Sequence, residues 1–220
     1  MLISSRGLTD RGRVQPLNED ALLDLPEKKI WAVADGRGTQ TAGSLASQSL
    51  IRSLQALHRD QDGPFSEQIL KDSLDAAYDK LYQYAQSSRL DDIGADIAVL
   101  AELNDTLVFG ASGSCRIYRC AGTQLQPLTL DSASHDLTAT RSESGVPRES
   151  GVRWSRCAAR PGDTFLLSTA GFHLQMSEAE LLDVLSSKTT ARTMAHQFLE
   201  TCLEKGAPEN LTVLVVRIEE

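Results

Sequence analysis

The sequence predicts an α+β fold: a four-layer α-β-β-α sandwich in which two mostly antiparallel sheets are flanked by helix pairs. Three observations predict it. Short β-rich runs recur along the chain, two of the links between them carry tight-turn residues, and two pairs of amphipathic helical patterns separate groups of these runs.

The candidate strands are Ala21 to Leu25, Ile30 to Ala34, Ile97 to Leu103, Thr106 to Ala111, Cys115 to Cys120, Thr164 to Ser168 and Leu211 to Ile218. Asn104-Asp105 and Ala121-Gly122 supply the left-handed turn residues that short hairpins need, which favours antiparallel pairing over parallel crossovers. Between the early and middle strands, Leu45, Leu50, Ile51, Leu54 and Leu57 form one helical stripe. A second stripe is made by Ile69, Leu70, Leu74, Ala77, Tyr78, Leu81 and Tyr82. A later helix pair runs from Ser177 to Leu185, with Ser177 and Glu180 at capping-box spacing, and from Ala191 to Leu203. Each stripe is one apolar face, so each helix pair is expected to cover the outside of a sheet.

At 220 residues and 41% hydrophobic, the chain fits one domain over 1–220 with a full core. The polar stretch Asp131 to Gly151 is longer than an ordinary connection and reads as a mobile flap. With 22 basic against 30 acidic residues the net charge is −8, which gives no basic footprint for nucleic acid or an anionic membrane surface. The first residues, Met1-Leu2-Ile3-Ser4-Ser5-Arg6, carry no apolar signal core, so a cytoplasmic location is expected. Cys115, Cys120, Cys157 and Cys202 form no metal-ligand spacing and read as free thiols.

Ile30-Trp31-Ala32-Val33-Ala34-Asp35-Gly36-Arg37-Gly38-Thr39 is an apolar strand leading into an acidic residue and a glycine-rich turn before a helix. A carboxylate at a sheet rim can hold a hard cation such as Mg²⁺ or Mn²⁺, and the glycines let the backbone approach a ligand. Read alone, Asp35 is better explained as a helix cap in an ordinary turn. Asn18-Glu19-Asp20 and Glu209-Asn210 also place acids at strand boundaries. These groups either converge on one rim, as two-metal phosphoryl chemistry requires, or are solvated turn residues.

The order of these pieces resembles the metal-dependent, type 2C serine/threonine protein phosphatases, in their compact bacterial form. Gly12-Arg13-Val14-Gln15-Pro16-Leu17-Asn18-Glu19-Asp20 is similar to the family's G-x-x-R-x-x-N-E-D, and Val33 to Thr39 with Ala42-Gly43 and Ala46-Ser47 to V-A-D-G-x-G-G. Phe109 to Tyr118 is similar to A-N-x-G-D-S-R-x-Y, Pro161 to Phe172 to P-G-D-x-x-L-L-x-S-D-G-L, and Pro208 to Val213 to x-D-N-[IL]-T-V. The resemblance implies two Mn²⁺ or Mg²⁺ ions and a bridging water that attacks phosphoserine or phosphothreonine. It implies that Asp35 bridges the metals, the Gly36 carbonyl ligates one, and Glu19 holds metal-bound waters.

Four departures fall on that chemistry. Ala170 stands in place of a ligating aspartate, Ser114 in place of the Gly-Asp aspartate, Glu209 in place of the last aspartate, and Gln15 in place of the phosphate-binding arginine. Two divalent ions need about three or four carboxylates to offset their repulsion, so one site at most is expected. Arg37 and Arg13 are candidate replacements for the lost arginine, or else solvated surface residues. His173 follows the altered segment as a substitute ligand or a surface residue. The first functional reading is a pseudophosphatase that binds a protein or phosphoprotein partner in signalling. The alternative is a divergent active metal-dependent phosphoserine/phosphothreonine phosphatase.

Overall fold

The structure, a computed structural model, describes residues 2–39, 41–60, 66–90, 93–129 and 151–219. The flap expected over 131–151 therefore lies outside the described residues, apart from Gly151.

Among the described residues, ten strands form two five-stranded sheets. The first has the order β1-β10-β9-β6-β7, from β1 (Ile3–Asp10), β10 (Leu211–Ile218), β9 (Thr164–Ser168), β6 (Arg116–Ala121) and β7 (Gln124–Pro127). The second has the order β2-β3-β4-β5-β8, from β2 (Asp20–Leu25), β3 (Ile30–Gly38), β4 (Ile93–Leu103), β5 (Thr106–Ala111) and β8 (Arg153–Ala158). All the pairings that build these orders are antiparallel.

Period-two alternation sends each central strand's side chains to two cores. In β3, Trp31 and Val33 enter the core between the sheets, while Ile30, Ala32 and Ala34 face the helices α1 (Ala42–Asp60) and α2 (Glu67–Ser88). In β10, Leu214, Val216 and Ile218 enter the same central core. Its Leu211, Val213 and Val215 pack under α3 (Ala170–His173), α4 (Glu178–Leu185) and α5 (Ala191–Glu204). The result is the expected α-β-β-α sandwich. Phe172 and Phe198 meet edge to face at 5.4 Å within the second helical layer. Ser177 and Glu180 form the full capping box at the start of α4.

Strands β1, β7 and β8 were not expected. All three are edge strands with mixed burial, so their sequences lack the apolar alternation that marks a half-buried strand. β1 is held by its ladder to β10 instead, from Ile3 opposite Ile218 to Asp10 opposite Leu211. Two further differences shape the site. β3 runs four residues beyond Ala34, to Gly38, and β4 begins at Ile93 rather than Ile97. Gly94 and Ala95 allow the two strands to stay paired out to Gly38, so Asp35 sits inside a ladder and not in a turn.

Candidate active site

The alternation that builds the central core also builds the site. Residues 31 and 33 of β3 point between the sheets, so Asp35 and Arg37 continue that face toward the rim. In β4, Ala98 and Leu100 share this face and carry Asp96 to it; in β2, Leu22 does the same for Asp20. The register sets Asp20 opposite Asp35 and Asp35 opposite Asp96. Three carboxylates on three neighbouring strands thus form one cross-strand row. Like charges directly opposed destabilise a sheet, so each must find compensation.

Asp20 finds it in the other sheet, where Thr169 Oγ1 and Thr212 Oγ1 donate to its Oδ2 at 2.8 and 2.7 Å. Asp35 accepts the main-chain N–H of Ala170 at 3.2 Å. Asp96 is fully enclosed: Arg37 Nη2 donates to Oδ1 at 2.8 Å, and the amide and hydroxyl of Ser114 both donate to Oδ2 at 3.0 Å. Gly113 is required beside it. A Cβ there would lie 1.9–2.0 Å from the Asp96 carboxylate, and its φ of +57° is in the region that favours glycine. From the helical side, buried Tyr78 donates to the Ala95 carbonyl at 2.9 Å and steadies β4 next to Asp96.

Two of these carboxyls are raised above the ordinary carboxylate range. Burial, then repulsion from Asp20, pushes the Asp35 carboxyl up to about 7 from an ordinary 3.8. Burial, opposed by the two threonine hydroxyls and reinforced by Glu209 and Glu19, pushes Asp20 up to about 6.

Glu19 and Glu209 stand at the rim above this row. Asn210 links their two segments: its Oδ1 accepts the Glu19 N–H at 2.9 Å, and its Nδ2 donates to the carbonyls of Arg11 and Leu17 at 2.9 and 2.8 Å. The Glu19 carbonyl in turn accepts the Gly36 N–H at 3.2 Å and the Ser47 hydroxyl at 2.6 Å, which joins the start of α1 to the site. Ala170 lies between Asp35 and Glu209. Its amide reaches the first, and a Cβ added to the next residue, Gly171, would come within 3.0 Å of the Cβ of the second.

Most residues singled out in the sequence therefore meet here: Asp35, Gly36, Glu19, Glu209, Ser114, Ala170 and Arg37. Arg13 and Gln15 are exposed on the loop between β1 and β2, where the Arg13 amide binds the Ala207 carbonyl. Arg37 is not a solvated surface arginine, because its guanidinium is paired with buried Asp96. His173 is buried and not a surface residue. Two further carboxylates stand in the row, Asp96 beside Ser114 and Asp20 opposite Asp35. Sequence reasoning missed Asp96 because its strand was started at Ile97. The signal was an aspartate inside an otherwise apolar eleven-residue run, since a buried acid needs a partner.

The donor set is one of hard oxygens, suited to Mg²⁺ or Mn²⁺. Among the described residues, no three side chains of His, Cys, Asp or Glu converge closely enough to hold an ion unaided. A main-chain carbonyl such as that of Gly36, together with water, would have to complete the shell.

Comparisons with known proteins agree with this layout. The family description "Protein phosphatase 2C" matches residues 9–215. The serine/threonine protein phosphatase PstP of Mycobacterium tuberculosis is 27% identical over 232 residues, an alignment that covers 96% of this chain and 44% of PstP. This chain therefore spans less than half of that relative's length. Among solved structures, PppA, described as a key regulatory component of T6SS in Pseudomonas aeruginosa, superposes with a TM-score of 0.86 at 28% identity, covering 99% and 98% of the two chains. The catalytic domain of a serine/threonine protein phosphatase PstP, solved with 2 manganese ions, gives a TM-score of 0.86 at 24% identity over 99% of both chains, a likeness of fold. A family match over residues 9–215, nearly the whole chain, places this chain in the protein phosphatase 2C family.

Proposed function

We propose that this chain is a divergent, divalent-metal-dependent phosphatase of phosphoserine or phosphothreonine in a protein partner. The supporting observation is the pairing of Asp20 with Asp35 across β2 and β3, two carboxyls raised chiefly by burial, whose charged forms a bound cation would compensate. Asp35 and the Gly36 carbonyl would hold Mn²⁺ or Mg²⁺, with Glu19 and Glu209 on the surrounding water. When bound, such an ion supplies Lewis-acid stabilisation and a more acidic water. Asp20, fixed by Thr169 and Thr212, keeps Asp35 flanked by negative charge, and Arg37 stands ready for the phosphoryl oxygens.

Ala170 favours a second reading. Its methyl replaces an anionic ligand beside Asp35, which suits a pseudophosphatase that binds a phosphoprotein without turnover. Hydrolysis of a phosphothreonine peptide separates the two. The phosphatase reading expects turnover that needs Mn²⁺ and falls by at least about a hundredfold in Asp35→Asn. Equal rates in wild type, variant and metal-free buffer would leave the binding reading.

A further inference from the structure

The arginine that the family places at position 15 is glutamine here, and Gln15 is exposed on the loop between β1 and β2. A guanidinium nevertheless stands in the site, on a different element. Arg37 lies two residues beyond Asp35 on the same strand face, and it is paired in register with Gly94, which has no side chain to obstruct it. Its Nη2 reaches diagonally to Asp96 Oδ1 at 2.8 Å. Asp96 cannot follow Arg37 outward, because its other oxygen is held by the amide and hydroxyl of Ser114 and its carboxylate fills the space left by Gly113.

The pair is strongly asymmetric. The Asp96 side chain is 1% exposed, whereas that of Arg37 is 38% exposed. Arg37 Nε is buried and has no hydrogen-bond partner among the described residues. Asp96 thus fixes one end of the guanidinium through Nη2, while the outer part of the side chain stays partly exposed. That is the arrangement a planar fork needs to receive an oxyanion at low entropic cost.

We infer that Arg37 is the phosphate-binding residue of this site and that Asp96 is its positioning residue, the two together replacing the arginine lost at position 15. The ligand is the dianionic phosphoryl group of a phosphate monoester. This rests on the phosphatase reading for its kinetic consequence but not for binding itself.

The test uses the full chain in Mn²⁺ buffer with p-nitrophenyl phosphate and, independently of turnover, inorganic phosphate followed by calorimetry. Arg37→Met and Asp96→Asn each raise KM and the phosphate Kd at least about tenfold while kcat changes less than about threefold. In an Arg37→Met background, Asp96→Asn adds nothing further to either constant, a non-additivity that general loosening of the fold would not produce. Arg37→Met removes an exposed-ended side chain without emptying the Asp96 niche, so it reports even where Asp96→Asn fails to fold. If wild type shows no turnover but the phosphate Kd still weakens tenfold in Arg37→Met, the phosphatase reading falls and this inference stands. Phosphate binding and KM unchanged in Arg37→Met, or altered only through tighter Mn²⁺ binding, would overturn it and make Arg37 a counter-charge alone.

Discussion

Asp35 and Asp96 stand opposite each other across β3 and β4, Asp35 accepting from the Ala170 amide and Asp96 enclosed by a guanidinium, an amide and a hydroxyl. The two acids face the same rim but are compensated to very different degrees. Both Asp96 oxygens accept hydrogen bonds, whereas the Asp35 carboxyl is raised by burial first and by Asp20 second.

That asymmetry gives a pH prediction. The Asp35 carboxyl is raised from 3.8 to about 7 in the folded chain, so its contribution to stability is full below 3.8 and is lost as pH rises through about 7. In a metal chelator, Asp35→Asn should therefore gain stability over wild type by about 2–3 kcal/mol between pH 5 and pH 8, at about 1.4 kcal/mol per unit. Urea unfolding at the two pH values checks this. A difference that stays flat with pH would show that Asp35 is not the strained group.

Ala170→Asp restores an anion between Asp35 and Glu209. It should tighten Mn²⁺ binding by at least about tenfold, or about 1.4 kcal/mol, and lower the stability of the metal-free protein through added repulsion. Calorimetry and thermal unfolding of the same variant read the two opposing effects, and an unchanged Kd would remove position 170 from the metal site.

Gly113→Ala should destabilise the fold by roughly 2–4 kcal/mol, combining overpacking with a left-handed backbone. The added methyl has no space beside the Asp96 carboxylate, which would have to leave its niche. Denaturant unfolding gives the magnitude; a cost below about 0.5 kcal/mol would mean that the niche yields easily.

Asn210→Ala removes the acceptor for the Glu19 N–H and the donor to the Arg11 and Leu17 carbonyls. At about 1 kcal/mol per bond the loss is about 2–3 kcal/mol. Hydrogen exchange should rise first at Glu19, because that amide loses its Asn210 Oδ1 acceptor. Protection retained at Glu19 would show that the loop is held by other contacts.

The layers were legible in the sequence because the central strands and the long helices carry strong periods. Thr106–Ala111, Thr164–Ser168 and Leu211–Ile218 appear with the boundaries their patterns gave. The edge strands were not legible, since β1 is defined by its partner β10 and not by its own side chains. At the site, Asp35, Gly36, Glu19 and Glu209 were visible as acids or glycines at segment boundaries. Asp96 was hidden because a family comparison counts losses at known positions, while this acid lies on β4, outside those motifs. Its pairing with Ser114 and Arg37 depends on a register that no single segment encodes. Ser114 read as a loss and Arg37 as an unassigned cation, and only their shared contact with Asp96 joins them.

Binding of a divalent cation at Asp35 and the Gly36 carbonyl is tested most directly by titration of the purified chain with Mn²⁺ by calorimetry, beside Asp35→Asn. Wild type should bind saturably, with affinity weakened at least about tenfold by the substitution and with proton release near pH 7 as the raised carboxyls ionise. No saturable heat in wild type, or identical isotherms for both proteins, would contradict it.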